Sequence, residues 1–409
     1  MLQVRLGRSS LVISRIALGA GPVPAAFTHA DSAAAAEAGR QLLRHALDRG
    51  IHWFDTAAGY GEGHNAAARG LAAALTEAGA EAEVRDLFRE TYGRRQKVAE
   101  RLYIECINRA APLWAAAYRL VDRTPLMRWM MPAMGAVRRK LAEVLAERKP
   151  CAVASVYPAY GWLLDRIFPG KNPPFASHTI VTDSITVNSV WWKFRSDSWI
   201  VPNEATAAVM RGAVSAERVH ALGFPVQMKF TDSTAVRTPP GNGEPLRIFY
   251  MVNHGHAVAP RLVRRLLEIP GIALTVAYGK EKAVGRAIAE AAQSAGRKIE
   301  LHGWTPLVPE LLLRNHILIG KAGGAATQEA IAAKTPMIIT KALPGQEEGN
   351  ARLIVENGCG ALCESDDAIV DAVANAAEDH AELWHRWHAA IVKLSKPDAS
   401  REIARFILS

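Results

Sequence analysis

A run of small residues near the C-terminal end of the chain has the composition of a phosphate-binding turn. Gly320, Gly323 and Gly324 follow residues 317–319, an apolar run that predicts a buried strand, and residues 325–333 predict a helix. Glycines at such a turn let backbone N–H groups approach an anion, and the helix N-terminus carries partial positive charge. The pattern therefore predicts an anion-binding loop in a parallel α/β sheet.

Two further polar groups lie close by in the sequence. Glu329 falls in the first turns of the predicted helix, where its carboxylate is placed to accept hydrogen bonds from ribose hydroxyls. After the next predicted strand, residues 336–339, the segment Pro344-Gly-Gln-Glu-Glu-Gly-Asn350 offers amide and carboxylate groups that suit sugar hydroxyls. A phosphate loop, a ribose acceptor and a sugar-binding segment in this order predict a nucleotide-sugar site.

The two motifs together resemble a known family. Gly320-Lys-Ala-Gly-Gly-Ala-Ala-Thr-Gln-Glu-Ala330 and Pro344-Gly-Gln-Glu-Glu-Gly-Asn-Ala351 are similar to the donor domain of monogalactosyldiacylglycerol synthases and diacylglycerol glucosyltransferases. They are also similar to the peptidoglycan lipid-linked N-acetylglucosamine transferase. The resemblance implies an α/β chain of the GT-B fold, with two Rossmann-like domains facing a cleft. It implies transfer of a hexose from a UDP-sugar to a lipid acceptor, with diacylglycerol expected, and inversion of a UDP-α-sugar to a β-glycoside.

The resemblance also implies a set of donor-binding residues. By position in the motifs they are Gly303, Trp304, Gly323, Gly324, Thr327, Glu329, Gln346, Glu347 and Asn350. The loop at Gly303 and Trp304 follows a predicted strand and, by resemblance, lies beside the uracil base.

The segment Gly61-Glu-Gly-His-Asn65 resembles the acceptor-domain loop of the same family, a Gly-x-Gly-His-x-x-Ala sequence after the first strand. The resemblance places Gly61, Gly63 and Asn65 in an acceptor or phosphate loop, before a helix predicted from near Asn65 to about residue 78. His64, at the edge of that helix, is the first candidate catalytic residue. It is a base for the acceptor proton or a contact to a phosphate, and the alternative is a polar helix cap.

Asp183 is the second candidate catalytic residue. Residues 178–184 predict a strand with Asp183 at its C-terminal end, where active groups of parallel α/β sheets are found. Its carboxylate either acts as the base or orients His64, and the alternative is a structural aspartate of a turn. A base is needed because the acceptor must lose its proton as it attacks the anomeric carbon, while the departing diphosphate gains charge.

Metal chemistry is not indicated by the sequence. No Asp-x-Asp sequence occurs, so the metal-bound diphosphate of GT-A enzymes has no counterpart. Cys359 and Cys363 have the spacing of metal ligands, but no second pair accompanies them. Because a helix N-terminus can stand in for a metal ion, we predict no metal and no other cofactor, with the UDP-sugar as a co-substrate.

The N-terminal part of the chain has a different resemblance. Ile51-His-Trp-Phe-Asp-Thr-Ala-Ala-Gly-Tyr60 is similar to the start of aldo-keto reductases, whose Asp-Thr-Ala…Tyr motif is matched by Asp55 and Tyr60. The lysine and histidine that complete that active site have no recognisable counterpart. The open alternatives are an NADPH-dependent reductase and a non-catalytic chimeric relic. Residues 51–56 are nevertheless β-prone enough to form the first strand of the transferase sheet.

These segments divide the chain into three parts. Residues 1–50 are a reductase-like fragment, 51–235 an acceptor-binding Rossmann-like domain, and 246–409 a donor-binding domain with a C-terminal helix. A linker at 231–245 is rich in Pro, Gly, Ser and Thr. The predicted fold class is α/β of the GT-B type, with a short N-terminal α/β appendage. A length of 409 residues suffices for two full cores.

The net charge of +9 is concentrated in one segment. Residues 85–149 hold 15 Lys and Arg against 7 Asp and Glu, interspersed with Trp and Met. This composition suits an anionic membrane surface, and the alternative is an apolar core with a solvated basic face. No nucleic-acid-binding motif accompanies the charge. No apolar run reaches the roughly 18–20 residues that span a bilayer, and the N-terminus lacks a signal-peptide pattern. We therefore expect a cytoplasmic protein, peripheral on the inner face of the cell membrane.

Overall fold

The chain folds into two units. The computed structural model describes residues 3–5, 12–14, 51–55, 62–93, 122–124, 126–233, 237–241, 243–252, 258–343, 345 and 347–409. The first unit comprises Met1–Gln227 and Ala399–Ser409, and the second comprises Met228–Asp398. The predicted site residues Gly61 and Gln346 lie outside the described residues, as do Tyr60 and most of the reductase-like fragment.

The first unit contains a six-stranded parallel sheet and a separate antiparallel pair of strands. Its strands are β1 Gln3–Arg5, β2 Val12–Ser14, β3 Ile51–Asp55, β4 Glu81–Arg85, β5 Ala152–Ser155, β6 Ala176–Ile180, β7 Ser198–Ile200 and β8 Val219–His220. Its first six helices are α1 Glu62–Glu77, α2 Leu87–Tyr92, α3 Leu126–Met130, α4 Gly135–Arg148, α5 Pro158–Ile167 and α6 Glu204–Arg211. Short 3-10 turns occupy Met131–Met134, Ser189–Trp191 and Ala216–Arg218.

Six of these strands form one sheet in the order β4-β3-β5-β6-β7-β8, with every described pairing parallel. Strands β1 and β2 pair antiparallel in a separate hairpin. β3 pairs with β4 on one side and with β5 on the other. The prediction that residues 51–56 supply the first strand of the transferase sheet is thus confirmed for Ile51–Asp55. Apolar side chains such as Phe88, Leu141 and Leu163 pack α2, α4 and α5 into one core.

The second unit repeats the same architecture. Its strands are β9 Leu246–Met251, β10 Ile272–Ala277, β11 Glu300–His302, β12 Ile317–Lys321, β13 Met337–Lys341 and β14 Gly360–Leu362. Its helices are α7 Met228–Thr231, α8 Val258–Leu267, α9 Lys282–Ser294, α10 Val308–Arg314, α11 Gly324–Ala332, α12 Glu348–Glu356, α13 Asp366–Ala377 and α14 Glu382–Leu394. The sheet order is β11-β10-β9-β12-β13-β14, and all pairings are parallel. The predicted α/β class with two Rossmann-like domains is confirmed.

The last helix, α15 Ala399–Leu408, belongs to the first unit rather than to the second. Arg401 forms a bidentate ion pair with Glu77 of α1 at 2.6 and 2.7 Å, and the Ser400 hydroxyl donates to the Val226 carbonyl. The predicted donor domain ran to residue 409, and these contacts give residues 399–409 to the other unit. The assignment of acceptor and donor roles to the two units stays a prediction.

The basic segment 85–149 is only partly an exposed face. Leu87 and Met131 are buried in the core, whereas Arg128 is exposed and the Trp129 side chain is 68% exposed. The apolar residues of this segment therefore divide between core packing and solvent, and residues 94–121 lie outside the described ranges. None of the helices in the described part of the chain combines the length and the apolar character that crossing a bilayer takes.

Candidate functional site

The predicted anion loop lies where the strand order of the second sheet reverses. From β9 the chain moves outward to β10 and β11, then returns to place β12 on the other side of β9. Ligands of open α/β sheets bind at the carboxyl ends of the strands at this reversal. β12 ends at Lys321, and α11 begins at Gly324 with Gly323 as its N-cap residue. The predicted strand, loop and helix are confirmed, and the loop occupies the position at which a ligand is expected.

Gly323 is not required by the backbone conformation. Its φ of −65° and ψ of 140° are open to any residue. A Cβ added at this position would make ordinary contacts, 3.4 Å to Lys321 Cε and 3.7 Å to Glu347 Oε1. Neither strain nor crowding within the folded chain explains the glycine. Lys321 and Glu347 border this position, and the missing side chain lets an anion approach the backbone N–H groups of the first turn of α11 more closely.

The first turn of α12 fixes this loop. The Lys321 ammonium donates to Glu347 Oε1 at 2.8 Å, and the Leu343 N–H donates to Glu347 Oε2 at 3.1 Å. One turn further on, Asn350 Nδ2 donates to the Ala322 carbonyl at 3.0 Å. Glu347 and Asn350 therefore hold two consecutive residues, the last of β12 and the first of the loop. Both were predicted as donor-binding residues. In the structure they have a positioning role that their sequence neighbours did not indicate.

Two buried polar atoms in this region lack a hydrogen-bond partner within the described part of the chain. They are Thr327 Oγ1, on the first turns of α11, and Asn350 Oδ1. Both residues are fully buried, so water does not compensate them freely. Glu329 follows on the same helix and is also buried. The predicted residues Thr327, Glu329 and Asn350 thus sit on two helices that the loop contacts.

Gly303 and Trp304 follow β11 at the edge of the same sheet. The indole of Trp304 is 56% exposed, and the Lys280 ammonium lies 5.8 Å from its ring centroid. A Cβ at Gly303 would approach the Tyr278 hydroxyl to 3.3 Å, closer than most Cβ contacts. An exposed aromatic ring beside a close-packed glycine is compatible with stacking on a planar base.

His64 lies at the corresponding reversal of the first sheet, between β3 and β5. Helix α1 begins at Glu62, so Gly63, His64 and Asn65 all lie in its first turn. The predicted start near Asn65, with Gly63 in a loop, is wrong by one turn. The reason is a contact with the strand end, because His64 Nδ1 hydrogen bonds to the Val156 carbonyl just after β5 at 2.7 Å. This bond holds the first turn of α1 in place.

The hydrogen bond to Val156 also sets the chemistry of the His64 ring. A carbonyl only accepts, so Nδ1 carries the proton and Nε2 keeps its lone pair. Thr182 Oγ1 lies 3.1 Å from the same Nδ1. Tyr157 packs edge-on against the ring at a centroid distance of 5.5 Å. Burial lowers the pKa of His64 to about 4, opposed by its backbone hydrogen bond, so the imidazole is neutral near pH 7. The ring is thus in the form that accepts a proton.

Asp183 and His64 both lie beside the ring of Trp191. Asp183 Oδ2 accepts a hydrogen bond from Trp191 Nε1 at 2.8 Å, and the Trp191 ring lies 6.3 Å from the His64 ring. Two residues further on, Ile185 has a φ of 59°, a left-handed conformation that is costly for a β-branched residue. Such strain is found at functional loops, which the rest of the fold must hold in place. The structure therefore brings both predicted catalytic residues into one neighbourhood.

Several residues of these sites were not predicted. Thr182 and the Val156 carbonyl contact His64, and Lys321 pairs with Glu347. The sequence carried a signal for Lys321, which directly precedes the small-residue run at a strand end. No group of three His, Cys, Asp or Glu side chains among the described residues is arranged to hold a metal ion. The absence of a cofactor stays a prediction.

The sequence is similar to that of known proteins. Residues 64–226 match the family model of monogalactosyldiacylglycerol (MGDG) synthase. The processive diacylglycerol beta-glucosyltransferase of Bacillus cytotoxicus is 23% identical over 357 residues, 85% of this chain and 91% of the relative. The enzyme of the same name from Bacillus subtilis is 23% identical over 364 residues, 86% and 93% of the two chains.

Solved structures agree on the fold. MurG of Acinetobacter baumannii superposes with a TM-score of 0.56 at 14% identity, covering 87% of this chain and 99% of that one. The UDP-GlcNAc 2-epimerase of Neisseria meningitidis, bound to UDP-GlcNAc, gives a TM-score of 0.53 at 13% identity, covering 88% and 99%. The chain has the GT-B fold, and it is a hexosyltransferase. Within that class, its similarity is to the MGDG synthases and the diacylglycerol glucosyltransferases.

Proposed function

We propose that the protein transfers a hexose from a UDP-sugar to diacylglycerol with inversion at the anomeric carbon. The observation that carries the proposal is the match to the MGDG synthase family over residues 64–226, which begins at His64. The names of the diacylglycerol beta-glucosyltransferase relatives support the lipid acceptor and a β-linked product.

In this proposal the second unit binds the UDP-sugar. The first turn of α11 and its N-cap Gly323 receive the diphosphate, Glu329 accepts hydrogen bonds from the ribose, and Trp304 lies against the uracil. Gln346, Glu347 and Asn350 are assigned to the sugar end. Support comes from the missing side chain at Gly323, which leaves the backbone of the first turn accessible, and from the buried oxygens of Thr327 and Asn350, which lack a partner among the described residues.

His64 is assigned as the base in the first unit, with Asp183 acting near it through Trp191. The lone pair on Nε2 takes the proton of the acceptor hydroxyl as its oxygen attacks the anomeric carbon. A ring with a pKa of about 4 is a weak base in the free protein. A negative charge nearby, as on a bound diphosphate, raises the pKa of a histidine toward the range in which proton transfer is efficient.

Incubation with radiolabelled UDP-glucose, UDP-galactose or UDP-GlcNAc and diacylglycerol vesicles tests the proposal. We expect labelled glycolipid from at least one donor, with none from the His64→Ala variant. An anomeric proton coupling typical of a β-glycoside in the product would establish inversion. Failure to label diacylglycerol with all three donors would refute the lipid acceptor.

We further propose that the protein acts as a peripheral protein on the inner face of the cell membrane. The exposed Trp129 and Met130 stand beside the exposed Arg128, and this combination favours the interface of an anionic bilayer. Co-sedimentation with phosphatidylglycerol vesicles should weaken in the double variant Trp129→Ser, Met130→Ser. The matched control is Val209→Ser, an exposed apolar residue of α6 outside this segment. Binding that is indifferent to salt and to anionic lipid would refute the proposal.

A further inference from the structure

The ion pair between Lys321 and Glu347 is asymmetric. The Glu347 side chain is 6% exposed, whereas the Lys321 side chain is 51% exposed. The carboxylate is therefore turned into the protein, and the ammonium is the end of the pair that solvent and ligands reach. Although the two charges cancel at a distance, the accessible end is positive.

The ammonium is also fixed at the entrance to α11. A Cβ added at Gly323 would lie 3.8 Å from Lys321 Nζ and 3.7 Å from Glu347 Oε1, so both ends of the ion pair border the first turn of α11. Because the ammonium is the exposed end of the pair, an anion that approaches from solvent would meet this ammonium and the N–H groups of the first turn together. The Leu343 N–H donates a hydrogen bond to Glu347, so the carboxylate is fixed and anchors the Lys321 ammonium.

We infer that Lys321 is a catalytic residue, the cation that receives the charge of the departing nucleoside diphosphate, and that Glu347 is its positioning residue. The inference rests on the proposed function, since it assigns the diphosphate end of that reaction. It gives Glu347 a second task beside the sugar contact proposed above, because the same carboxylate spans the sugar-binding segment and the phosphate loop.

The chemistry of the step explains why a fixed cation is needed. The acceptor oxygen forms a bond to the anomeric carbon, and its proton passes to the base, for which His64 is the candidate. The bond between the anomeric carbon and the β-phosphate oxygen breaks, and both electrons leave with the nucleoside diphosphate. The leaving group gains one negative charge, so a cation held in place stabilises the transition state more than the bound donor.

Calorimetric titration of UDP and of uridine tests the contact without requiring turnover. Lys321→Met should weaken UDP binding about tenfold, the loss of one charge-assisted hydrogen bond, and leave uridine binding unchanged. Lys321→Arg should restore most of the UDP affinity because it keeps the charge. Lys341→Met is the matched control, since Lys341 is exposed and lies beside Lys321 in the register of β12 and β13. Equal losses for UDP and uridine, or equal losses in Lys341→Met, would overturn the inference.

Turnover separates this inference from the proposed function. Relative to the wild-type protein, Lys321→Met should have a kcat about a hundredfold lower, with a smaller change in the KM for the UDP-sugar. If the wild type forms glycolipid and Lys321→Met retains its kcat, the inference fails alone. If the wild type forms no glycolipid but Lys321→Met loses UDP affinity selectively, the diphosphate contact stands and the proposed acceptor is wrong.

Discussion

His64 shows how one backbone contact decides the chemistry of a side chain. The Val156 carbonyl fixes the proton on Nδ1, and burial keeps the ring neutral. Both effects place the lone pair of the neutral ring on Nε2. The contact joins residues 92 positions apart, so the sequence motif indicated the histidine but not its tautomer.

The pH dependence of turnover follows from this environment. The pKa of His64 is lowered from 6.5 to about 4, so the base stays deprotonated from pH 8 down to about pH 5. We expect kcat/KM, which reports the free protein, to be flat between pH 6 and 8 with respect to this group. A loss of kcat/KM centred near pH 6.5, without a matching loss of kcat at saturating donor, would contradict this. It would mean that the His64 ring is more exposed to water than its burial indicates.

Glu329 gives a second prediction at this scale. Glu329→Gln keeps the size of the side chain and removes its charge, so UDP binding should weaken by about 1.5–3 kcal/mol. Glu356→Gln is the control, because Glu356 is exposed at the far end of α12 and pairs only at the surface with Arg352. Unchanged UDP affinity by calorimetry would remove Glu329 from the ribose site.

Residue types and short spacings were predictable, whereas partners distant in sequence were not. The Gly323–Gly324 turn and Glu329 were found because strand, loop and helix are consecutive. The pair of Lys321 and Glu347 spans 26 residues, and the contact of Thr182 with His64 spans 118. Such contacts depend on which strands become neighbours, and the order of strands in a sheet is not written in any local pattern.

At the scale of elements, the loop between β12 and α11 holds a glycine that its backbone angles do not require. Gly323→Ala should change the free energy of unfolding by less than about 1 kcal/mol, because the backbone angles suit alanine whereas glycine is the better N-cap residue. The added methyl group should nevertheless lower UDP affinity, since it hinders the approach of the diphosphate to the N–H groups of the first turn of α11. Chemical denaturation and calorimetry on the same variant separate the two effects.

Gly212→Ala is a suitable control for that variant. Gly212 has a φ of −77°, and a Cβ there would lie 3.4 Å from the Val209 carbonyl, so the local demands are similar. The free energy of unfolding of Gly212→Ala should change as little as that of Gly323→Ala, and its affinity for UDP should equal that of the wild type. A drop in stability for Gly323→Ala alone would mean that the glycine serves the fold and not a ligand.

Among the elements, β3 was predictable and the start of α1 was not. Residues 51–55 combine apolar and β-prone side chains, so the sequence predicts a strand whichever resemblance is followed. The sequence predicts a start of α1 near Asn65, three residues late, because Gly61 and Gly63 favour a loop. The bond from His64 to the end of β5 overrides that local preference.

At the scale of the whole molecule, residues 1–50 should contribute nothing to sugar transfer. Every pairing of β3 with β4 and β5 is made by Ile51–Asp55, so a chain beginning at residue 51 keeps this part of the sheet. Glycolipid synthesis by that chain should stay within a few-fold of the full-length protein. Reduction of an aldehyde with NADPH by the full chain, abolished by Tyr60→Phe, would instead support a reductase.

Acid stability gives another prediction at this scale. Burial lowers the pKa of His316 to about 3 and that of His388 to about 4, with Arg237 adding repulsion in both cases. Unfolded histidines titrate near 6.5, so between pH 6.5 and about 4 the unfolded chain binds protons that the folded chain does not. The free energy of unfolding should therefore fall as the pH falls through this window.

Urea denaturation at several pH values measures the slope of the free energy of unfolding against pH. His388 stacks on Trp384 at a ring distance of 4.7 Å, so His388→Gln is expected to lower stability at all pH values. The informative quantity is the slope, which should become shallower in the variant because one titrating group is gone. An unchanged slope would show that His388 is already protonated in the folded protein or exposed to water.

The position of α15 has a consequence for how the protein is made. The chain enters the second unit at Met228 and leaves it at Asp398, and near these points the Thr231 hydroxyl donates to the Pro397 carbonyl. On the ribosome, the sheet of the first unit emerges long before α15 does. The surface of α1 around Glu77, which Arg401 covers in the folded protein, therefore stays uncovered while the second unit is translated. The first unit begins to fold first and is completed last, so its nascent form is the one that a chaperone would have to protect.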